Sequence, residues 1–408
     1  MSRGRRAGPL LPLLVVAAAA EAETVRVPAR GTVAGQPVAT TVDSVAAAYY
    51  LESYLGEGKR QAGLHQAIDR ALAEAPDPAD REALRRLAAR FSTDFATLYF
   101  VHALDGVERN RRARESYRAI LTRLPTEGVP TELVAAHRDT LFVFVPGYGY
   151  RLNPATGADF ARQRRLMEET GFATRLVETD EQGTVEGNAR IVAAALERLA
   201  ADRRSVVVVS TSKGGAEAAL ALGGGLPPEA AWKVRAWISV GGLLRGSPYA
   251  DRALRSGLMG LVGRAFLLFR GLPREMVASL STARRRAAFE ALALPDGLLA
   301  VQFVGVPLSG QVSPDVRRRY RAIRPEGPND GLTLLADELV PGGVAIAELG
   351  LDHYYRDPSI DEKGLALVVL VLESLEGRGG SRGRDRSSEP IDPLPGLGGG
   401  GAIPSGAP

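Results

Sequence analysis

Four consecutive valines, Val206 to Val209, lead into Ser210-Thr211-Ser212-Lys213-Gly214-Gly215 and then into Ala216-Glu217-Ala218-Ala219-Leu220. No other stretch of the chain limits the fold so tightly. A continuous β-branched run of this kind is the pattern of a strand covered on both faces, as in a parallel sheet flanked by helices. Ala216, Ala218, Ala219, Leu220 and Ala221 favour helix, and Gly214 and Gly215 permit the tight turn and close helix-to-strand approach between the two elements. Ser212 therefore projects from an elbow at a helix N-terminus, where backbone amides and the helix dipole stabilise negative charge. Two readings follow: the nucleophile of an acyl transfer, or a buried strand that ends in a solvated Ser-Thr-Ser turn.

A second buried-strand pattern, Leu141-Phe142-Val143-Phe144-Val145, runs directly into Pro146-Gly147-Tyr148-Gly149-Tyr150. Two glycines after a strand let backbone N–H groups face a cavity, although an ordinary strand-terminating turn uses the same residues. A general base must come from four histidines. His65, with Leu64, Ile68 and Leu72, and His102, after Phe95, Leu98 and Tyr99, fall at helical spacing and read as structural. His137 lies in the polar approach to the Leu141 strand. His353 follows Ser212 in the chain, in the loop Leu351-Asp352-His353-Tyr354-Tyr355. That loop lies between a strand-like segment, Val344 to Gly350, and a helix predicted over 361–375.

Ser210, Ser212 and Gly214 stand at the three fixed positions of G-x-S-x-G, and the strand-elbow-helix pattern resembles the nucleophile elbow of the α/β-hydrolase family, with serine in place of the first glycine. The resemblance extends over about 139–375. It implies a mostly parallel sheet with helices on both faces, and a triad in the chain order serine, acid, histidine. Ser212 is then the nucleophile and His353 the base. Asp330, in Gly327-Pro328-Asn329-Asp330-Gly331-Leu332 after the strand-like Leu299 to Val306, is the acid; this run is similar to the acid-bearing segment of lipase-like hydrolases. Asp337 and Asp352 compete for that role, and Asp-Gly is also a common turn dipeptide. By the same resemblance the backbone amides of Tyr148 and Lys213 form the oxyanion hole. The Lys213 side chain would either steer an anionic substrate or point to solvent. Trp237 to Asp251, with its Arg245-Gly246-Ser247-Pro248-Tyr249-Ala250-Asp251 run, looks like the segment after the next strand in lipase-type relatives, but carries Gly242-Leu243-Leu244 where many have a Thr-Pro-His-like triplet. The activity implied is esterase- or lipase-like hydrolysis through an acyl-enzyme, with a small-molecule or lipid ester as substrate and no cofactor. The alternative is a secreted binding or scaffold protein that keeps the fold without the chemistry.

Composition narrows the classes further. A chain of 408 residues, 45% hydrophobic, is long enough for one large core plus a smaller helical one. It has no cysteine, which excludes disulfides, thiolate metal sites and a cysteine nucleophile. Without clustered histidines no zinc site is expected. The net charge of +4 is interspersed, and basic clusters such as Arg284-Arg285-Arg286 lack aromatic interleaving, so no nucleic-acid partner is expected.

Arg3, Arg5 and Arg6 precede an apolar run from Leu10 to Ala20 and the small-residue site Ala20-Glu21-Ala22. This is the pattern of a cleaved export signal over 1–22, implying the bacterial periplasm or secretion. Residues 23–138 are expected to hold an N-terminal segment and a helical subdomain, helical from about Thr41 to Leu124, with Asp77-Pro78 as one N-cap and first-turn pair. A helical cap is expected at about 251–297. Its apolar run from Gly257 to Phe269 would suit an acyl chain or peripheral contact with a lipid surface, or would form a buried core helix. The Gly/Arg/Ser/Pro-rich residues 376–408 cannot bury a core and are expected to be a disordered tail.

Overall fold

The computed structural model describes residues 26–75, 77–201, 205–255 and 271–382. The expected signal (1–22), the apolar run of the cap (257–269) and most of the expected tail lie outside these residues. Among the described residues no helix is long and apolar enough to cross a membrane.

The valine run forms β5 (Ser205–Thr211), which lies inside a parallel sheet. Its companions are β3 (Thr140–Val145), β4 (Ala173–Leu176), β6 (Val234–Val240), β7 (Leu299–Val306) and β8 (Val344–Leu349), in the order β4-β3-β5-β6-β7-β8. From β3 the chain passes to β4 on one side and then to β5 on the other. The connections thus diverge at β3 and β5, and an open α/β sheet has its ligand crevice at the strand ends beside such a switch.

Side chains alternate between the two faces. Phe142, Phe144, Val207, Val209, Ile238 and Phe303 pack on one face under α5 (Glu108–Glu127), α7 (Ala161–Glu169) and α15 (Ile360–Arg382). Val143, Val145, Val206, Val208 and Trp237 fill the other, under α8 (Val185–Ala201) and α9 (Lys213–Leu222). The β8 end of that second face is covered by the N-terminal region. Tyr50, Leu51, Phe95 and Phe100 pack there with Val304, Val306, Ala345 and Ala347.

The N-terminal region contains α1 (Val45–Tyr49), α2 (Ala62–Ala73), α3 (Arg81–Arg90) and α4 (Thr93–Gly106). It also contains an element not anticipated from sequence, an antiparallel hairpin of β1 (Val27–Val33) and β2 (Gln36–Val42). Ala34 and Gly35 turn it, with φ of 49° and 68°, the left-handed pair of a two-residue type I′ turn. Gln36 shows why the hairpin sits where it does. β8 is an edge strand, and Gln36 donates to Ala347 O (2.9 Å) and accepts from Leu349 N (3.1 Å). Asn110 accepts from Ala345 N at 2.9 Å, so side chains satisfy an edge that would otherwise invite strand pairing.

Two sequence boundaries move. Asp80, not Asp77, caps α3 by accepting from Ala83 N at 3.0 Å, while the Asp77 carboxylate closes a local turn on Ala79 N. The last helix runs to Arg382 rather than stopping at Leu375. Its late turns are held to the preceding layer by the Arg123–Glu373 ion pair.

Candidate active site

β5 ends at Thr211 and α9 begins at Lys213, so a single residue, Ser212, makes the reversal. It does so at φ 53° and ψ −125°, a region that non-glycine residues rarely occupy unless the surroundings over-determine it. Ser212 N donates to Val240 O (3.2 Å), and Ser212 O accepts from Gly215 N and Leu243 N, each at 3.0 Å. A Cβ on Gly214 would fall 2.3 Å from Pro146 O, and one on Gly215 would fall 2.7 Å from the Gly242 Cα. Gly242 of the unusual Gly242-Leu243-Leu244 triplet is thus the packing partner of the elbow, and Leu243 supplies one of its hydrogen bonds. Ser210 is fully buried, and its Oγ accepts from Trp237 Nε1 at 2.8 Å. Serine fits the position usually given to glycine because the next strand offers an indole N–H.

Ser212 Oγ lies 2.9 Å from His353 Nε2, and His353 Nδ1 lies 2.5 Å from Asp330 Oδ2. The Asp330 carboxylate is fully buried, and its Oδ1 accepts from Leu332 N and Thr333 N, both at 2.8 Å. His353 N also donates to Asp330 O at 3.0 Å, so backbone and side chain together align the two loops. Gly331, at φ +99°, leaves no room for a side chain, since a Cβ there would sit 2.0 Å from Val316. The Asp-Gly dipeptide is therefore a turn that also places the Asp330 carboxylate against His353.

The competing carboxylates are occupied elsewhere. Asp337 pairs with Arg81 (2.8 Å) and Arg286 (2.9 Å), while Asp352 accepts from Ser313 N and Tyr354 N. His65 and His102 make hydrogen bonds to Tyr49 and Tyr50, and His137 faces Glu376.

The Pro146-Gly147-Tyr148 loop runs beside the serine: a Cβ on Gly147 would approach Ser212 Cβ to 3.3 Å. Tyr148 and Ser212 both line a cavity of about 700 Å³ that also reaches His353. Lys213 provides the first amide of α9. Its side chain neither steers a ligand nor points to solvent, as the sequence had suggested. It is 3% exposed and pairs with Glu217 at 2.7 Å, and Asn188 donates to the same Glu217 oxygen at 2.7 Å. A helix that brings a lysine back over its own first turn four residues from a glutamate makes this pair.

The Arg245 to Asp251 run acts as a brace. Arg245 donates to Leu339 O (2.6 Å), Ser247 Oγ to Leu332 O (2.6 Å), and Thr333 Oγ1 to Gly246 O (2.7 Å). Asp251 accepts from the Thr282 amide and hydroxyl at 2.9 and 2.6 Å. The acid loop is thereby fixed to the strand that follows the elbow.

Two supporting residues escaped the sequence reading. Tyr355 donates to Phe303 O (2.8 Å) and accepts from Gly305 N (2.7 Å), which anchors the histidine loop to β7. Glu338 is buried beside Asp330 and Asp337, and burial first, then those two carboxylates, push its pKa well above the usual range. Nothing in the local pattern distinguishes either residue from ordinary loop and surface residues. Among the described residues no group of histidine, aspartate and glutamate side chains is placed to hold a metal ion.

No family model and no curated protein match the sequence. Among solved structures the chain is similar to a metagenomic carboxyl esterase, with 22% identity, 65% of this chain and 91% of that one covered, and a TM-score of 0.49. It is similar to a Bacillus licheniformis lipase in its mature form at 20% identity, 58% and 91% coverage and TM-score 0.45. An inhibited esterase B from Lactobacillus rhamnosis is 12% identical, with 60% and 80% coverage and TM-score 0.36. The fold itself follows from the molecule's own topology: the parallel order β4-β3-β5-β6-β7-β8, with helices on both faces and a sharp elbow after β5, makes this chain an α/β-hydrolase fold.

Proposed function

We propose that the protein is a serine hydrolase of carboxylic esters, with Ser212 as nucleophile, His353 as base and acid, and Asp330 as the residue that orients the imidazole. The observation that supports this most is the unbroken line Ser212 Oγ, His353 Nε2, His353 Nδ1, Asp330 Oδ2, with steps of 2.9 and 2.5 Å on either side of the ring. Asp330 accepts a hydrogen bond from Nδ1–H, which keeps that proton on Nδ1, so Nε2 presents its lone pair to the serine. Ser212 Oγ then bonds to the ester carbonyl carbon while its proton passes to Nε2. The amides of Tyr148 and Lys213 hold the resulting oxyanion. Collapse breaks the carbonyl carbon to alkoxy oxygen bond, and the departing alcohol takes the proton from Nε2. Water, deprotonated by the same nitrogen, attacks the acyl carbon; the bond to Ser212 Oγ breaks, Oγ takes the proton back from Nε2, and the acid is released. The leader-like residues 1–22 support action outside the cytoplasm.

Fluorophosphonate labelling of the purified protein tests this reading, with the modified peptide located by mass spectrometry and His353→Ala run in parallel. An adduct on Ser212 that disappears in His353→Ala is the expected result. A folded protein that takes no adduct would instead leave a binding protein that keeps the fold without the chemistry.

A further inference from the structure

Beside the cavity at Ser212 and His353 lies a second space of about 50 Å³, between the sheet and the helices α7 and α15. Phe160, Gln163, Val240 and Ile360 wall both cavities, and Val240 O is the acceptor for the Ser212 amide. Phe144, Ile238 and Phe303 of the sheet and Met167 and Leu367 of the helices line its deeper part. Among the described residues, Gln163 is the one polar side chain on its wall. Its amide is turned away to Asp361 Oδ1 at 2.7 Å. A water needs two to four polar partners, and among the described residues this wall offers at most the Gln163 side chain, so the space suits hydrocarbon.

Two residues of its wall shape it. Gly364 lies in the interior of α15, where glycine weakens a helix relative to alanine. No positive φ and no backbone contact requires it there: a Cβ would meet only Gln163 Cγ, at an ordinary 3.4 Å. What the missing side chain provides is room. Phe160 lines both spaces, with its ring 5.2 Å from that of Phe144. It is held at φ 56°, a strained conformation for a bulky side chain.

We propose that this apolar space takes the far end of a straight hydrocarbon chain of the ester, with Gly364 setting its depth. The inference rests on Ser212 being the ester-cleaving nucleophile. A volume of about 50 Å³ accommodates roughly two methylene groups when a water's liquid share is about 30 Å³. Burying each gains about fourfold in kcat/KM, so a chain that fills the space outruns one that just fails to enter it by about 15-fold.

The test is kcat/KM over two ester series: p-nitrophenyl esters from acetyl to dodecanoyl, which vary the acyl chain, and alkyl acetates, which vary the alcohol. One series should show a step of about 15-fold across two consecutive methylenes. Gly364→Leu should abolish that step and Gly364→Ala should reduce it. Gly63→Leu, at an exposed helical glycine with nothing within 4 Å of a built Cβ, should leave it in place. The series that carries the step identifies the chain as acyl or alcohol. Turnover with no step in either series, or a step untouched in a folded Gly364→Leu or Gly364→Ala, overturns the pocket and leaves ester hydrolysis standing. No turnover and no fluorophosphonate adduct on Ser212 overturns the hydrolase reading on which the pocket rests.

Discussion

Restoring glycine at position 210, the residue more usual at this point of an elbow, should make this protein less stable. Ser210 and Trp237 are both fully buried, and Ser210 Oγ is the acceptor for the indole N–H at 2.8 Å. Ser210→Gly leaves that N–H without a partner in a site closed to solvent, which costs about 1–3 kcal/mol. Glycine inside a strand adds about 0.5–1 kcal/mol of backbone entropy. The sum is about 1.5–4 kcal/mol, a fall in Tm of roughly 3–8 °C at about 2 °C per kcal/mol for a domain this large. Ser210→Ala removes the acceptor without the glycine term and should lie between the two. Thermal and urea unfolding followed by tryptophan emission suit the question, because the other tryptophan, Trp232, is 62% exposed and the buried signal comes from Trp237. A Ser210→Gly protein as stable as its parent, or more stable than Ser210→Ala, would show that the indole bond is not what retains serine there.

Asp330→Asn should abolish turnover while sparing the fold. The asparagine oxygen can still accept from Leu332 N and Thr333 N, but its NH₂ would face His353 Nδ1, placing the ring proton on Nε2 where it cannot accept from Ser212. A loss on the order of 10⁴-fold in kcat is expected; labelling and hydrolysis rates within tenfold of the parent would remove Asp330 from that role. A pH dependence of stability should come from Asp94. Burial, and then the neighbouring Asp43 carboxylate, push its carboxyl up to about 7, in a buried cluster with Ser309 and Tyr320, while Arg324 binds Asp43. Between about pH 4 and 7 the folded protein holds a proton that the unfolded chain releases, so this group's contribution is complete at low pH and is lost as pH rises through 7. The urea midpoint should therefore fall less between pH 4.5 and 7.5 in Asp94→Asn than in the parent; equal slopes would refute the assignment.

Much of the site was readable because its signals are local. The valine run, the two glycines and the serine lie within ten residues, and each answers to a short-range requirement: a strand covered on both faces, a turn too tight for a Cβ at Gly214, a helix start at Lys213. His353 could be chosen because histidines are scarce and only this one follows the elbow. Asp330 was chosen from its place between β7 and β8, with Asp337 and Asp352 as competitors; that its carboxylate is the one facing His353 depends on partners that only the folded chain brings together. The hairpin at 27–42 was missed because its turn pair, Ala34-Gly35, is a weak signal beside the Asn-Gly type, and because its stability comes from contacts with β8 more than three hundred residues away.

The sequence alone determined the elements and the chemistry they could carry, because strand, elbow and helix depend on side-chain shape and backbone freedom within a few residues. The tertiary structure alone decided which of several carboxylates faces the imidazole. It also buried Lys213 against Glu217 instead of leaving it in solvent, gave Ser210 a partner in Trp237, and opened an apolar space beside Gly364. Each of those outcomes depends on which groups from distant segments meet and whether water is excluded between them, and hydrogen bonding and charge burial take their sign from that meeting.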